Sequence, residues 1–376
     1  MWKTSSALLL VVAVLLMVGG VMVASTSTVK GLEDHGDIDY FLKRQLVWIV
    51  LSVVAGIAAC FFDYHYLRHL AFPLLAVSCL MLVLVFVPHV GARVGGSYRW
   101  LRLGGLGFQP SELAKFSLVV AICWWFTRER RKVRELARGF LYPAAAIVCV
   151  LVLILAEPDY GTTVLTAAVS LLIMFVAGVR IHYLVLLAVA GALFITVLVA
   201  HNPNRMERLM AFLEPEKYAQ TTAYQLKGAL DAFVLGGRRG VGLGQGVQKQ
   251  SYLPESHTDF IYAVVGEELG LRATVPVLLL YLAFFALGMR IAMKTTDVFG
   301  RFLAFGLTLM ITLQAIINFG VVTGLFPTKG LSLPFISFGG SCLLVSMIAV
   351  GVLVNIAQHA GGLIEEPAIR DTLHDL

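Results

Sequence analysis

Tyr252-Leu-Pro-Glu-Ser-His-Thr-Asp-Phe-Ile261 closes the one long polar segment of a 376-residue chain that is otherwise hydrophobic. An apolar stretch starts at Ile261 and continues to about residue 289, long enough to cross a bilayer. The passage therefore joins a water-exposed loop to a membrane span, and the chain repeats that alternation from end to end. Only 14% of the residues are charged and 59% are hydrophobic, whereas a soluble domain carries roughly 25% charged residues. The sequence reads as an all-α polytopic membrane protein, a single membrane domain over residues 1–376 with no soluble accessory domain. Its chemistry must use the bundle and its loops.

Ten spans are expected, at about 7–24, 46–62, 70–88, 110–127, 139–156, 162–179, 183–200, 261–289, 302–325 and 340–357. The N-terminus has Lys3 before an apolar core, like a signal peptide, but its uncharged length suits a retained first helix. Arg128-Glu-Arg-Arg-Lys-Val-Arg134 with Arg138 puts six basic residues in one short connection. The positive-inside rule makes that loop cytoplasmic, and an even count then makes both termini cytoplasmic. The loop 201–260, between the seventh and eighth spans, falls outside; long loops translocate whatever their charge. Within it, Met206, Leu209, Met210 and Leu213, and again Leu226, Leu230, Phe233 and Val234, follow helical spacing. Such helices either rest on the membrane surface or pack against the bundle.

The formal charge of +6 (29 Lys and Arg against 23 Asp and Glu) does not point to nucleic acid. In a membrane protein it marks cytoplasmic loops and contacts with anionic lipid. Five cysteines are scattered singly through apolar segments, without metal-ligand spacing or a disulfide framework.

The polar residues gather at one face. Lys43-Arg44-Gln45 enters the second span; Arg99-Trp100-Leu-Arg102 leads to Gln109-Pro-Ser-Glu112 and Lys115; Glu157-Pro-Asp159-Tyr-Gly joins the fifth and sixth spans. Pro327-Thr-Lys329-Gly runs through Pro334 to Gly339-Gly340-Ser341 at the mouths of the ninth and tenth. Asp259 stands beside His257 and Glu255 where the chain re-enters lipid, and Glu267-Glu268 follows a turn or two later. A carboxylate at membrane depth is costly unless paired or facing water, which makes these residues functional candidates. Asp259 or Thr258 would equally serve as a helix N-cap. Lys43 and Arg44 would snorkel to headgroups, and Trp100 would anchor at the interface. Glu112 and Lys115, three apart on one helix face, suit an internal ion pair. Gln314 and Asn318 suit interhelical hydrogen bonds better than an ion site. The run Gly240-Val-Gly-Leu-Gly-Gln-Gly246 lacks the Gly-Lys-Ser/Thr of a nucleotide loop. Together the clusters surround one external cavity suited to an anionic amphiphile with its headgroup outside and its tail in lipid. A proton-coupled transporter would instead concentrate its carboxylates near the bilayer midplane.

At these residues the chain resembles the SEDS family (shape, elongation, division and sporulation), the FtsW/RodA polytopic proteins of bacteria. The resemblance runs from Lys43-Arg-Gln45 to Ser341. It rests on Trp100-Leu, Gln109-Pro-Ser-Glu-Leu-Ala-Lys115, Glu157-Pro-Asp-Tyr-Gly-Thr162, Tyr252 to Ile261, Gly266-Glu-Glu-Leu-Gly270, and Pro327-Thr-Lys-Gly330 through Gly339-Gly-Ser341. Pro-Thr-Lys-Gly at 327–330 favours the FtsW-like, division branch; Phe338 and Cys342 stand where Tyr and Ser are more usual.

The resemblance implies a peptidoglycan glycosyltransferase of the bacterial cytoplasmic membrane that polymerises lipid II on the outer face. It also implies a class B penicillin-binding protein as partner, among other divisome or elongasome membrane proteins. The essential aspartate of the His-Thr-Asp motif maps to Asp259. A diphosphate leaves well without a second acid, so one base plus positive charge suffices. Asp259 is then the general base, with Arg44, Arg99, Arg102 and Lys329 placed to bind diphosphate and Trp100, Gln109, Glu255 and His257 placed around the substrate. A divalent cation, Mg²⁺ or Mn²⁺, would join them, with no organic cofactor. The rival readings are a lipid II flippase and a noncatalytic division scaffold.

Overall fold

The structure, a computed structural model, describes residues 1–28, 31–32, 36–94, 97–103, 106–214, 217–218, 223–249, 253, 256–328 and 330–361. Among them, nine helices are long and apolar enough to cross a membrane. In chain order these are α1 (Trp2–Thr26), α2 (Tyr40–Phe61), α3 (Leu67–Leu84, lengthened by a leading turn at Tyr64–Tyr66), α5 (Tyr142–Ala156, lengthened by a leading turn at Leu136–Leu141), α6 (Tyr160–Ala177), α7 (Ile181–Ala200), α11 (Leu271–Lys294), α12 (Val298–Val322) and α13 (Gly340–Ala360). The expected fourth span is α4 (Pro110–Arg128), a helix of similar length but lower apolarity because it carries Glu112 and Lys115. It is nonetheless buried along most of its length, so protein rather than lipid surrounds its charges.

The centre of the bundle is α12 and α13, with 72% and 89% of their spans buried, while α7 at 6% lies at the lipid-facing edge. The pair α2 and α13 approach so closely that a Cβ on Gly351 would stand 2.3 Å from the Gly56 carbonyl oxygen. Contacts between small residues replace a hydrophobic driving force when the surrounding solvent is itself apolar. Helix ends follow local chemistry. Pro110 opens α4 with Glu112 in its first turn. Asp159 caps α6 by accepting the Thr162 N–H, and Gly178 ends it in the left-handed region at φ 96°.

Two expectations need correction. The eighth span is not one helix over 261–289: a short α10 (Ile261–Leu269) stops at Gly270, φ 69°, and α11 starts afresh. The cause is a strap laid over the end of α10. The Val241 and Gly242 N–H groups donate to the Glu267 and Glu268 carbonyls, 2.9 and 3.0 Å, and the Leu271 N–H donates to Gly237. The strap satisfies carbonyls that the next helical turn would have used. Gly240, φ 77°, permits it, since a Cβ there would stand 2.1 Å from the Glu268 carbonyl oxygen. Secondly, the protein is not purely helical. Strands β1 (Gly91–Val94), β2 (Ser97–Leu103) and β3 (Leu106–Phe108) form an antiparallel sheet in that order, pairing Ala92 with Trp100 and Arg102 with Gly107.

The loop after α7 contains α8 (Pro203–Leu213) and α9 (Tyr224–Gly236), where helical spacing placed them. The structure resolves the alternatives for α9, which packs on the bundle: Leu226, Ala229 and Ala232 are buried, and Phe233 meets Gly266 and Tyr262. Helix α8 leaves Leu209, Met210 and Leu213 exposed.

Polar segments segregate to the two ends of the bundle. One end gathers the start of α2, the sheet, the α5–α6 turn and residues 256–260 and 330–339. The other gathers the α2–α3 turn, the start of α12 and the end of α13, joined by the Arg68–Asp297 ion pair at 2.6 Å and the His359–Asp63 approach at 3.7 Å. The end of α4 lies there as well, where Trp124 packs edge-on to Phe72 of α3. That end leads into the basic loop 128–138, which the positive-inside rule assigns to the cytoplasm.

Candidate active site

Residues 256–260 approach α10 as an irregular segment, and three successive carbonyls in it are paired with groups from late in the chain. The His257 carbonyl accepts the Phe338 N–H at 2.9 Å, and the Thr258 carbonyl accepts the Ser337 hydroxyl. The Asp259 carbonyl accepts Asn318 Nδ2 at 2.8 Å, and the same amide donates to the Leu331 carbonyl at 2.7 Å. Gln314, one turn earlier in α12, accepts from Lys115 Nζ at 2.7 Å and donates to the Ser332 carbonyl at 2.9 Å. Of the two amides expected to bridge helices, Gln314 does so through Lys115, while Asn318 instead joins two loop carbonyls; together they pin the 331–339 segment beside Asp259.

The Asp259 main chain is thus held while its half-buried side chain faces this end of the bundle. A Cβ on Gly330 would stand 2.9 Å from Asp259 Oδ2, so Gly330 passes directly against the carboxylate. The next residue meets α6, where a Cβ on Gly161 would touch Leu331 Cγ at 2.9 Å. The His257 ring is buried between Phe41, 4.8 Å away, and Phe338, 5.7 Å away. Arg44 joins the same cluster at one remove: its Nη1 donates to the Tyr40 hydroxyl at 2.8 Å, and Tyr40 packs edge-on to Phe41.

The hairpin residues play different parts. Arg99 donates through Nε to the Glu157 carbonyl and through Nη2 to the Pro158 carbonyl, 2.8 and 2.7 Å, and so fastens the sheet to the α5–α6 turn. Arg102 on the same strand is exposed. Trp100 lies half-buried over Gly107, where a Cβ would stand 3.2 Å from its ring. Gln109 donates its N–H to Ser341 and its amide to Asp159, 2.9 and 3.3 Å. Glu112 and Lys115 form a buried ion pair at 2.9 Å. The structure therefore links Arg44 to His257 through Tyr40 and Phe41, sets the Asp259 carboxylate against Gly330, and holds Arg99, Gln109 and Asp159 around the α5–α6 turn. Glu255 and Lys329, named from the sequence as substrate ligands, lie outside the described residues.

Three buried acids carry most of what sequence reasoning missed. Glu268 pairs with Lys249 at 2.6 Å, accepts the Ser25 hydroxyl and the Gly244 N–H, and is fully buried. Glu267 accepts the Val247 and Gln248 N–H groups, 2.7 and 3.1 Å. The glycine-rich loop is thus a strap locking α10 from behind. A buried glutamate demands a partner, which was the signal available for Lys249. Glu157 is the third: fully buried, with no hydrogen-bond partner on either carboxyl oxygen. Burial, then the neighbouring Asp159 charge, pushes it up to about 8 against the partial opposition of Arg99.

The donor set at Asp259 does not by itself make a cation cage. Among the described residues, the one group of three acids and histidines close enough to share an ion lies at the other end of the bundle. What the geometry offers here is one solvent-reachable carboxylate on an immobilised main chain, with basic and aromatic side chains around it.

Comparison with known proteins agrees with this architecture. The family model described as cell cycle protein, covering FtsW, RodA and SpoVE, matches residues 6–361. A protein of Trichlorobacter lovleyi called probable peptidoglycan glycosyltransferase FtsW is 42% identical over 93% of this chain and 92% of its own. Stage V sporulation protein E of Bacillus subtilis is 36% identical over 95% and 98%. Among solved structures, a chain of a peptidoglycan synthase complex that coordinates polymerization and crosslinking superposes with a TM-score of 0.78 at 27% identity, covering 96% of this chain and 98% of its own. The rod shape determining protein RodA of Thermus thermophilus gives 0.69 at 26%, covering 93% and 96%. With its bundle of membrane-crossing helices and its match across nearly the whole length, this chain belongs to the FtsW/RodA/SpoVE family of cell cycle proteins, multi-pass proteins of the bacterial inner membrane.

Proposed function

We propose that this chain is a peptidoglycan glycosyltransferase of the FtsW-like branch, polymerising lipid II at the external end of the bundle with Asp259 as general base. The observation that carries the reading is the Asp259 carboxylate, reachable from water while its main chain is fixed by Asn318. The names of its relatives supply the reaction class, and a lipid-linked sugar diphosphate fits a membrane-level site with cations nearby.

In the reaction, the 4-hydroxyl oxygen of the acceptor sugar attacks the anomeric carbon of the donor chain. The bond from that carbon to the diphosphate oxygen breaks with inversion, and undecaprenyl diphosphate leaves with the bonding electrons. The hydroxyl proton passes to Asp259 and from there to water. Arg44 and Arg102 supply positive charge toward the diphosphate, with Lys329 beside Gly330 in sequence; Arg99, held by two carbonyls, fixes the hairpin that presents Arg102. A divalent cation such as Mg²⁺ or Mn²⁺ would enter with the substrate diphosphate and add positive charge at the leaving group. The partner is a crosslinking transpeptidase of the class B penicillin-binding type, a reading supported by the synthase complex to which the fold is similar.

Purified Asp259→Ala, incubated with lipid II and the transpeptidase, is expected to give no glycan ladder on a gel while remaining folded and partner-bound. A ladder at the wild-type rate would overturn the assignment. Leaflet movement of lipid II without polymer in the wild-type protein would mark a flippase instead, and neither product a scaffold.

A further inference from the structure

At the end of the bundle remote from Asp259, the α2–α3 turn and the last turn of α13 bring together Asp63, His65 and His359. One ligand atom from each lies within 4.8 Å of the others. His65 Nδ1 is 2.6 Å from Asp63 Oδ1, and His359 Nε2 is 3.7 Å from the same oxygen. Two bonds of about 2.1 Å at a tetrahedral angle place ligand atoms roughly 3.4 Å apart, so these separations bracket what a first-row metal ion needs.

The state of His359 gives the independent reason. Its side chain is 5% exposed, and its Nδ1 lies 3.0 Å from the Asn355 carbonyl oxygen, which can only accept. Nδ1 therefore carries the hydrogen, and Nε2 presents a lone pair. That Nε2 is buried without a hydrogen-bond partner and points at a carboxylate. A backbone carbonyl that fixes the distal nitrogen's tautomer is the usual outer support of a metal-bound histidine.

The scaffold is rigid on every side. Asn355 accepts the Tyr64 N–H and donates to the Cys60 carbonyl, tying α2 to α13. Asp297 accepts the Gly300 N–H and the Tyr64 hydroxyl and pairs with Arg68, while its Oδ2 stands 3.9 Å from His65 Nε2. With neutral histidines, the two carboxylates and Arg68 sum to one negative charge, which a divalent cation converts to one positive.

We propose that Asp63, His65 and His359 form a binding site for a divalent first-row transition ion, such as Zn²⁺, at the cytoplasmic ends of α2 and α13. Two imidazoles and one carboxylate suit such an ion rather than Ca²⁺ or Mg²⁺, which take mostly oxygen ligands. Uptake breaks the His65–Asp63 hydrogen bond and shifts the ring hydrogen of neutral His65 from Nδ1 to Nε2, which faces Asp297 Oδ2 at 3.9 Å. The bound ion clamps the α2–α3 turn to α13, about 30 Å along α13 from the Asp259 end. The site is independent of the reaction assigned to Asp259.

The test uses the tag-free full chain in lipid nanodiscs, incubated with ZnCl₂, passed through a desalting column and analysed for metal by mass spectrometry. About one zinc per chain is expected, falling below about one fifth in Asp63→Asn and His359→Gln and staying near one in His182→Gln, an exposed histidine elsewhere. Zinc should raise the thermal midpoint of the wild type and of His182→Gln alone. The Co²⁺-loaded wild type should show the visible bands of a nitrogen- and oxygen-ligated site, which keeps the test decisive should a variant fail to fold. Zinc well below one per chain in the wild type, or equal zinc in His359→Gln, would overturn the proposal.

Discussion

Replacing Gly330 by alanine probes the position of the Asp259 carboxylate without altering its chemistry. Gly330 is not among the glycines with positive φ, so alanine adds no backbone strain there. Its new methyl group would stand 2.9 Å from Asp259 Oδ2, where ordinary contact begins at 3.4 Å. Either the loop or the carboxylate must yield by about half an ångström, and the Asp259 main chain is held by Asn318. A misplacement of 1 Å at a reacting group costs roughly 100-fold, so half that distance predicts about a tenfold loss, near 1.4 kcal/mol of barrier. Initial rates of lipid II polymerisation, measured with the transpeptidase present, should show kcat down about tenfold with KM little changed. Wild-type kcat in Gly330→Ala, alongside an inactive Asp259→Ala, would refute the view that the acid works from the position it holds beside residue 330.

Glu157 makes a prediction about pH. Its folded value near 8 lies above the ordinary 4.5, so the stability it contributes is complete below pH 4.5 and is lost as pH rises toward 8. The loss approaches 1.4 kcal/mol per pH unit, and Glu157→Gln should flatten it, raising the thermal midpoint at pH 8 far more than at pH 5. Lys249→Met would leave Glu268 buried and uncompensated, at a cost of about 3–5 kcal/mol in thermal or denaturant unfolding, and adding Glu268→Leu should restore most of it.

The sequence made the membrane spans legible because an apolar run of that length admits few other structures. It also placed Asp259, since an acid at the edge of such a run stands out against its surroundings. Gln314 was readable as a cross-helix group for the same reason, whereas Asn318, expected to do likewise, serves two loop carbonyls. Other features depend on partners far away in the chain. Ser25 reaches Glu268 across 243 positions, and no periodicity announces such a pairing. The break at Gly270 was hidden because a lone glycine is ordinary inside a membrane helix; only the strap at 241–242 makes it a terminus. Strand β2 escaped notice because its hairpin is short and its charged residues read as an interfacial loop. Arg99 looked like a ligand for an anion, but the carbonyls of Glu157 and Pro158 occupy two of its donor nitrogens.

The interruption at Gly270 has a mechanical consequence. Bilayers differ by several ångström in thickness, and a crossing helix adapts by leaning. Were Asp259 mounted on the same unbroken rod as α11, each change in lean would swing the acid away from its substrate. A glycine break at the joint, with Glu267 and Glu268 moored to the loop behind them, would insulate the proposed base from the lipid's dimensions.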